Sequence, residues 1–293
     1  MRRGDFRTSW AVCDAVMATR SPGMRDDPEV PYHLRWVWDG RAFAGRRVVV
    51  RCYHGLGDTL QFCRYLAPLR AVASHVTLEV QGQLAGLLRG VPGADVVHPF
   101  DVDAPLPEGE CDIEIMELAH ALRLVPDSSS YLRVASAGQG GVGLCWAASG
   151  WNPDRNLPAE ALLPVARMAR CVSLQRGDAA EEAAGLGIID PLGGSMDMET
   201  LAGLVAGLDA VVTIDTMVAH LAGALGRPVF LLLQEHADWR WGVGERSDWY
   251  GSARLVRQSV EGDWTGVVRE LCLSDGFKKG CDMMVQSPQP CPD

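Results

Sequence analysis

Short apolar stretches rich in β-branched residues alternate along the chain with segments of helical periodicity. In the first half, this pattern predicts strands over RVVVRCY, HVTLEVQ, DVVHP and DIEIMEL, with helices over 58–72 and QLAGLLRG. In the second half, it predicts strands over VGLCWAA, CVSLQ, GIIDP, AVVTID, PVFLLL and SARLVRQ, separated by helical segments that include METLAGLVAGL and TMVAHLAGALG. Such alternation indicates parallel βαβ units. The sequence therefore predicts two doubly wound, Rossmann-like α/β domains in tandem.

The segments beside these two series set the predicted domain boundaries. Residues 127–141 are polar and rich in Gly and Ser, which is typical of a linker. We expect a helical appendage over 1–45, a first domain over 46–136, a second domain over 137–272 and a flexible tail over 273–293. Ligands of open α/β sheets usually bind at the carboxyl ends of the strands, so the chemistry is expected in the loops that follow them.

Charge and composition argue against several classes of protein. The 293 residues contain 27 Lys and Arg against 37 Asp and Glu, a formal net charge of −10, which is unlike a non-specific nucleic-acid binder. Charged residues interrupt the apolar stretch over 201–233, so no transmembrane segment is expected. The N-terminus lacks the pattern of an export signal, and a cytoplasmic location is expected. All Lys and Arg residues except Lys278 and Lys279 are arginines, so an anion that a side-chain cation holds in the folded domains must be held by Arg.

The first candidate site is the glycine-rich loop after the first strand, which contains His54, Gly55, Gly57 and Asp58. Glycines at a helix start let the backbone approach a ligand closely. A purely structural interpretation fits equally well, because Asp58 and Gln61 have the spacing of a capping box with Asp58 as the N-cap. Spacing alone leaves both interpretations open.

The second candidate site is the matching loop of the second half. Its residues are Asp215, Thr216, Met217, Val218, Ala219 and His220. The free N–H groups of a helix start carry partial positive charge and can hold a diphosphate, with the Thr216 hydroxyl as a further donor. The structural alternative is that Asp215 or Thr216 only caps the helix and that His220 is an interior histidine.

Two further loops, WAASGWNPDRNLP and SLQRGD, follow strands of the second domain and supply Trp146, Arg155 and Gln175. Arginine suits the forked recognition of phosphate oxygens, although a surface arginine requires no function. The aromatic residues of ADWRWGVGERSDWY fit either a stacking wall for a sugar or base or anchors of a loop. The triplet Asp101-Val102-Asp103 is interpreted as a solvated loop, so no metal site is predicted.

These motifs together carry a family likeness. HGLGDTLQFCRYLAPL, VTLEVQ, VSLQ, VVTIDTMVAHLAGALGRPVFLLL, DWRW, DWY and RLVRQ occur in this order. The series resembles glycosyltransferase family 9, the ADP-heptose:lipopolysaccharide heptosyltransferases, and in particular the branch attached to tetratricopeptide repeats. The resemblance covers about residues 46–272, and RRGDFRTSW resembles the end of a final repeat.

The resemblance implies an α/β fold of the GT-B type and an inverting glycosyltransferase that uses a nucleotide diphosphate sugar, either an ADP-sugar or another one. It implies no metal and no other cofactor. The catalytic base would be Asp58, with His54 as the second candidate. The donor would be bound by the 215–220 loop together with Gly55, Gly57, Trp146, Arg155 and Gln175. Met217 departs from the small or hydroxyl residue usual there, and Arg155 stands in for the usual phosphate-binding lysine.

In the expected mechanism, Asp58 takes the proton of an acceptor hydroxyl while the helix start at Thr216 and an arginine stabilise the departing diphosphate. Asp58 and Thr216 are expected to face each other across a cleft. The acceptor can be a glycan, a protein or a small molecule. Two alternatives stay open: a GT-B sugar-nucleotide epimerase, and a catalytically silent module that binds a sugar nucleotide or a partner.

Overall fold

The computed structural model describes residues 4–20, 27–35, 37–137, 140–148, 152–193, 195 and 197–279. The chain divides into two compact units, Met1–Asp127 and Ser128–Asp293. Each unit is built on its own parallel sheet. The two predicted α/β domains are therefore both present.

The sheet of the N-terminal unit has four strands in the order β3-β2-β1-β4. They are β1 (Arg47–Arg51), β2 (His75–Val80), β3 (Val96–Pro99) and β4 (Cys111–Glu114). All pairs are parallel, and Val48 of β1 aligns with Val76 of β2 and with Cys111 of β4. Consecutive valines favour such a central strand. Because the strands are parallel, the loops that follow them meet at one edge of the sheet.

The helices of this unit are α1 (Phe6–Thr19), α2 (Leu56–Phe62), α3 (Leu66–Val72), α4 (Gly82–Ala85) and α5 (Leu118–Ala121). The single helix predicted over 58–72 is divided by the 3-10 turn Cys63–Tyr65. Pro68 explains the division, because it lacks the N–H that would bond to Arg64 and its ring crowds that carbonyl. The helix of the predicted appendage is α1, whose Asp14 carboxylate lies 2.9 Å from Nε2 of His120 on α5.

A buried ionic cluster ties a loop to the strand ends of this sheet. The Arg51 guanidinium donates to the carboxylates of Glu79 (2.7 Å) and Asp112 (2.8 Å), and all three side chains are at most 5% exposed. Arg51 also donates to the backbone carbonyls of Leu106 and Pro107. Glu79 in turn accepts from the N–H of Leu106 at 2.6 Å. The cluster fixes the loop before β4 against the sheet.

The sheet of the C-terminal unit has five parallel strands in the order β6-β5-β7-β8-β9. They are β5 (Val142–Cys145), β6 (Cys171–Ser173), β7 (Ala210–Ile214), β8 (Val229–Leu233) and β9 (Ala253–Arg257). The helices are α6 (Leu163–Met168), α7 (Met198–Ala206), α8 (Met217–Ala224) and α9 (Trp264–Leu273). Every residue of β5, β6, β7 and β8 is buried, as expected for strands covered on both faces.

Three predictions differ in detail from this structure. The strand predicted over GIIDP is reduced to one parallel bridge between Ile189 and Val172. The boundary predicted between residues 136 and 137 differs from the observed division, because the N–H groups of Tyr131 and Leu132 bond to the carbonyl of Ala224 in α8. In the predicted tail, Phe277 is 1% exposed and packs edge-on against Phe230; residues 280–293 lie outside the described part.

Candidate functional site

In the glycine-rich loop of the N-terminal unit, α2 begins three residues earlier than the capping-box interpretation requires. Gly55 is the N-cap, Gly57 lies inside α2, and Asp58 occupies the third helical position. Its carboxylate Oδ2 accepts a hydrogen bond of 3.0 Å from the N–H of Gly55. The prediction that Asp58 is the N-cap was therefore wrong, because this carboxylate reaches back to cap the preceding turn. Gly55 has φ −72°, an ordinary value that does not itself require glycine.

His54 is held by a buried carboxylate from the neighbouring strand. Its Nδ1 lies 3.1 Å from Oε1 of Glu114, the last residue of β4. The Glu114 side chain is 5% exposed, whereas the His54 ring is 33% exposed. The other oxygen of Glu114, Oε2, accepts from the N–H of Met116 at 2.6 Å. Burial raises the pKa of the Glu114 carboxyl, and the hydrogen bond to His54 opposes that rise.

The 215–220 loop of the C-terminal unit is a helix start capped by a side chain. Thr216 is the N-cap of α8, and its hydroxyl accepts from the N–H of Val218 at 3.2 Å. The N–H of Ala219 bonds to the Thr216 carbonyl, while Met217 holds the first helical position. Although the N–H groups of Val218 and Ala219 are satisfied in this way, the aligned peptide dipoles leave partial positive charge at this end of α8. This end of α8 can therefore hold an anion.

Beside this helix start lies a cavity of about 120 Å³. It is lined by Asn152, Arg155, Asp215, Leu232, Leu233, Gln234, His236, Ala237 and Asp238. The structure thus brings Arg155 and Asp215 to one cavity, although they are sixty residues apart in sequence. Burial raises the pKa of the Asp215 carboxyl, and the Trp241 indole and the Arg155 charge oppose the rise. A cation and a carboxyl in one recess can contact both the phosphates and the hydroxyls of a ligand.

Gln175 has a structural position behind this recess. Its buried amide oxygen accepts from the N–H groups of Trp146 (3.0 Å) and Ala147 (2.9 Å), and its amide nitrogen donates to the carbonyls of Ala147 and Arg176. Trp146 is 1% exposed, and its indole N–H donates to Glu182. The two residues predicted for donor binding therefore join the ends of β5 and β6. Direct donor contact by either remains a prediction.

His220 is an interior residue of α8. It is 5% exposed, its Nδ1 lies 3.0 Å from the Tyr250 hydroxyl, and its ring stacks on Trp241 at 5.2 Å between centroids. Trp241, Trp249 and Tyr250 are each at most 2% exposed. Of the two interpretations of the aromatic segment, anchoring of a loop fits these positions, and an exposed stacking wall does not. Contact between His220 and a diphosphate remains a prediction.

Sequence reasoning missed Glu114, Gln234, His236 and Asp238, which all lie at or after the carboxyl ends of β4 and β8. The rule that ligands bind at such ends could have drawn attention to them. Within the described ranges, no group of three or more His, Cys, Asp or Glu side chains is placed to hold a metal ion. No described helix is long and apolar enough to cross a membrane.

Part of the C-terminal unit is similar in sequence to a known protein family. Residues 174–256 match the model of glycosyltransferase family 9 (heptosyltransferase). Protein FlbA of Caulobacter vibrioides is 28% identical over 86% of this chain. The chain spans only half the length of that curated relative.

Solved structures share the fold at low sequence identity. The family 9 glycosyltransferase of Veillonella parvula superposes with a TM-score of 0.61 at 13% identity, covering 84% of this chain and 98% of that one. Escherichia coli heptosyltransferase WaaC, solved with ADP-2-deoxy-2-fluoro heptose, gives 0.55 at 14% identity, with 76% and 98% covered. The iron-containing glycosyltransferase TibC of E. coli gives 0.52 at 13% identity, with 83% and 77% covered. The two parallel-sheet units and these neighbours confirm the predicted α/β fold of the GT-B type.

Proposed function

We propose, from the premise that this chain is a glycosyltransferase family 9-like protein, that it transfers a sugar from a nucleoside diphosphate donor to an acceptor hydroxyl. The proposal includes inversion at the anomeric carbon and catalysis without a bound metal. The acceptor is left open among glycans, proteins and small molecules.

The observation that carries the proposal is the position of the N-terminus of α8, which bears partial positive charge, beside the cavity that Arg155 and Asp215 line. Thr216 and α8 fall inside the segment 174–256 that matches the family. Two structural neighbours were solved with ADP or an ADP-sugar bound, which supports a nucleotide-sugar donor here. A helix start and an arginine together supply the positive charge that a metal ion supplies in other transferases.

Each group has a distinct part in the proposed reaction. The partial positive charge at the start of α8, the Thr216 hydroxyl and Arg155 bind the diphosphate and stabilise the charge that develops as it leaves. Asp215 offers a carboxyl to hydroxyls of the donor. The glycine-rich loop of the N-terminal unit supplies the base for the acceptor hydroxyl, with Asp58 and His54 as its candidates.

The first test measures donor binding by calorimetry and thermal shift with nucleoside diphosphates and their sugars. A ligand at about 100 times its Kd adds roughly 2.7 kcal/mol to stability. Replacing Arg155 with Met removes a charged hydrogen-bond donor worth about 1.5–3 kcal/mol, so we expect binding to weaken at least tenfold. Arg167→Met, at an exposed position of α6, is the matched control and should bind like the parent.

Product analysis separates the alternatives. Transfer releases one nucleoside diphosphate for each glycosylated product, an epimerase yields an altered sugar nucleotide or free epimer, and a silent module binds without turnover. Unchanged affinity in Arg155→Met would contradict the proposed donor site. Loss of activity in EDTA that magnesium, manganese or iron restores would contradict the metal-free mechanism.

A further inference from the structure

The end of β7 and the start of α8 bring two threonine hydroxyls together. Thr213 lies within β7, and Thr216 is the N-cap of α8 three residues later. Their Oγ1 atoms are 3.2 Å apart. Thr213 is completely buried, whereas Thr216 is half-buried. A ligand at this helix start can therefore reach the hydroxyl of Thr216 but not that of Thr213.

The hydrogen-bond partners determine which of the two hydroxyls donates. Thr213 Oγ1 lies 2.9 Å from the carbonyl oxygen of Ile214, and a carbonyl can only accept. A hydroxyl has a single proton, so Thr213 donates to Ile214 and must accept from Thr216. The Thr216 oxygen in turn accepts from the N–H of Val218 at 3.2 Å. In this structure, the proton of the Thr216 hydroxyl is thus directed at Thr213.

The thiol of Cys145 also lies beside the Thr216 hydroxyl. Cys145 is the last residue of β5 and aligns with Thr213 in the pairing of β5 with β7. Its Sγ is 3.8 Å from Thr216 Oγ1 and 3.4 Å from the amide oxygen of Gln175. Sulfur is a weak hydrogen-bond acceptor, and the oxygen of Thr213 is both closer and stronger. Thr213 is therefore the group that holds the Thr216 proton.

We propose that Thr213 is a positioning residue that sets the affinity of the 215–220 loop for a diphosphate, because it holds the Thr216 proton until the ligand accepts it. This inference rests on the proposed function, in which the Thr216 hydroxyl donates to the diphosphate. To donate there, the hydroxyl must turn away from Thr213 and give up that hydrogen bond. A diphosphate therefore binds less tightly than it would if Thr216 had no partner in the protein.

The two competing hydrogen bonds differ in strength. O–H···O bonds usually measure about 2.5–3.0 Å, so the 3.2 Å between the threonine oxygens corresponds to a weak one. A hydrogen bond to a charged phosphate oxygen is roughly twice as strong as one between neutral groups. The proton thus moves to the diphosphate on binding and returns to Thr213 on release. The same exchange applies to the nucleoside diphosphate product, so Thr213 favours its release.

The decisive variant is Thr213→Val, which keeps the branched shape of the side chain and removes its oxygen. The Thr216 proton then has no acceptor at position 213. One hydrogen bond between neutral groups corresponds to about 2- to 10-fold in affinity, so the Kd for a diphosphate should fall by that factor. Damage to the site would weaken binding instead, so the direction of the change separates this role from a purely structural one. Thr213→Ser keeps the hydroxyl and is the matched control, with parent-like affinity expected.

Isothermal titration calorimetry of the full-length chain measures the Kd for ADP, GDP, CDP, UDP and TDP and for the nucleoside of each. The gain in Thr213→Val should occur with the diphosphates and not with the nucleosides, which lack the phosphates that Thr216 contacts. Thr216→Val should weaken diphosphate binding by about tenfold or more, and adding Thr213→Val to it should change nothing further. Unchanged or weaker diphosphate binding in Thr213→Val would overturn the proposal, as would an equal gain in the Thr216→Val background.

Failure of the proposed function gives a different result. In that case the parent binds none of these nucleoside diphosphates, and the proposal for Thr213 fails with it. Diphosphate binding by the parent that Thr213→Val leaves unchanged refutes only the role of Thr213. The titration of the parent therefore separates the two failures.

Discussion

Gly223 of α8 lies directly against the ring of Tyr250, and adding one methyl group there should disturb the candidate donor site. A Cβ atom at Gly223 would lie 2.4 Å from Cγ and 2.5 Å from Cδ1 of Tyr250. Favourable carbon contacts lie at about 3.5–4.0 Å, so the ring or the helix must move by roughly 1 Å. Tyr250 is 1% exposed and its hydroxyl lies 3.0 Å from Nδ1 of His220, so the ring has little room to move.

Two opposing contributions set the expected change in the free energy of unfolding. Gly→Ala within a helix favours folding by about 1 kcal/mol, whereas overpacking a filled core by a carbon atom costs about 1–3 kcal/mol. Gly203 of α7 is the matched control, because its added Cβ would meet the Ala137 Cβ at 3.4 Å, close to ordinary contact. We therefore expect Gly203→Ala to be neutral or stabilising and Gly223→Ala to be about 1–3 kcal/mol less stable than that control.

Urea unfolding monitored by tryptophan fluorescence measures this difference. With a slope of about 1–3 kcal/mol per molar urea, the two midpoints should differ by roughly 1 M. Nucleotide affinity should fall in Gly223→Ala and be preserved in Gly203→Ala, since only the former displaces α8. Equal stabilisation of both variants would refute the argument, because it would show that Tyr250 yields without cost.

Two further outcomes are expected in the C-terminal unit. Gln175→Ala leaves the N–H groups of Trp146 and Ala147 without their acceptor, at about 1–3 kcal/mol each, so urea unfolding should show a loss of about 3 kcal/mol in stability. The control Gln234→Ala removes a single amide donor near the surface and should cost under about 1 kcal/mol. Equal losses in the two variants would contradict this account. The raised pKa of Asp215 means that the folded chain retains a proton that the unfolded chain releases near pH 3.8, so stability falls as pH rises through that range. Asp215→Asn should then be more stable than the parent at pH 7 and lose that advantage toward pH 3.5 in thermal melts, whereas a constant difference across this range would rule out the burial effect.

Most secondary-structure elements could be predicted because each has a local signal. The strands around Val49 and Leu231 are short, apolar and bounded by polar turns. Such a pattern is typical of strands in a parallel sheet that is covered on both faces. The strand predicted at Ile189 had the same apolar character but forms only one bridge. Apolar content alone does not decide whether a segment pairs with a neighbouring strand along its whole length.

The candidate site was predicted less completely, because its contacts join distant parts of the sequence. His54 was identified from its loop, but nothing within sixty residues of sequence indicates that Glu114 is its partner. The capping-box interpretation placed Asp58 at the N-cap, three positions away from its place in α2, since D-x-x-Q and G-x-x-D spacings overlap in this loop. The parallel pairing of β1 and β4 is what brings His54 and Glu114 together.

The buried cluster of Arg51, Glu79 and Asp112 has a consequence for how this sequence can change over time. Losing Arg51 alone would leave two buried carboxylates without their cation, and breaking a buried pair typically costs about 3–5 kcal/mol. Replacing all three with apolar residues can instead be neutral. The three positions should therefore show strong epistasis: in natural variants they should be kept or replaced together, and chains carrying a single replacement should be rare.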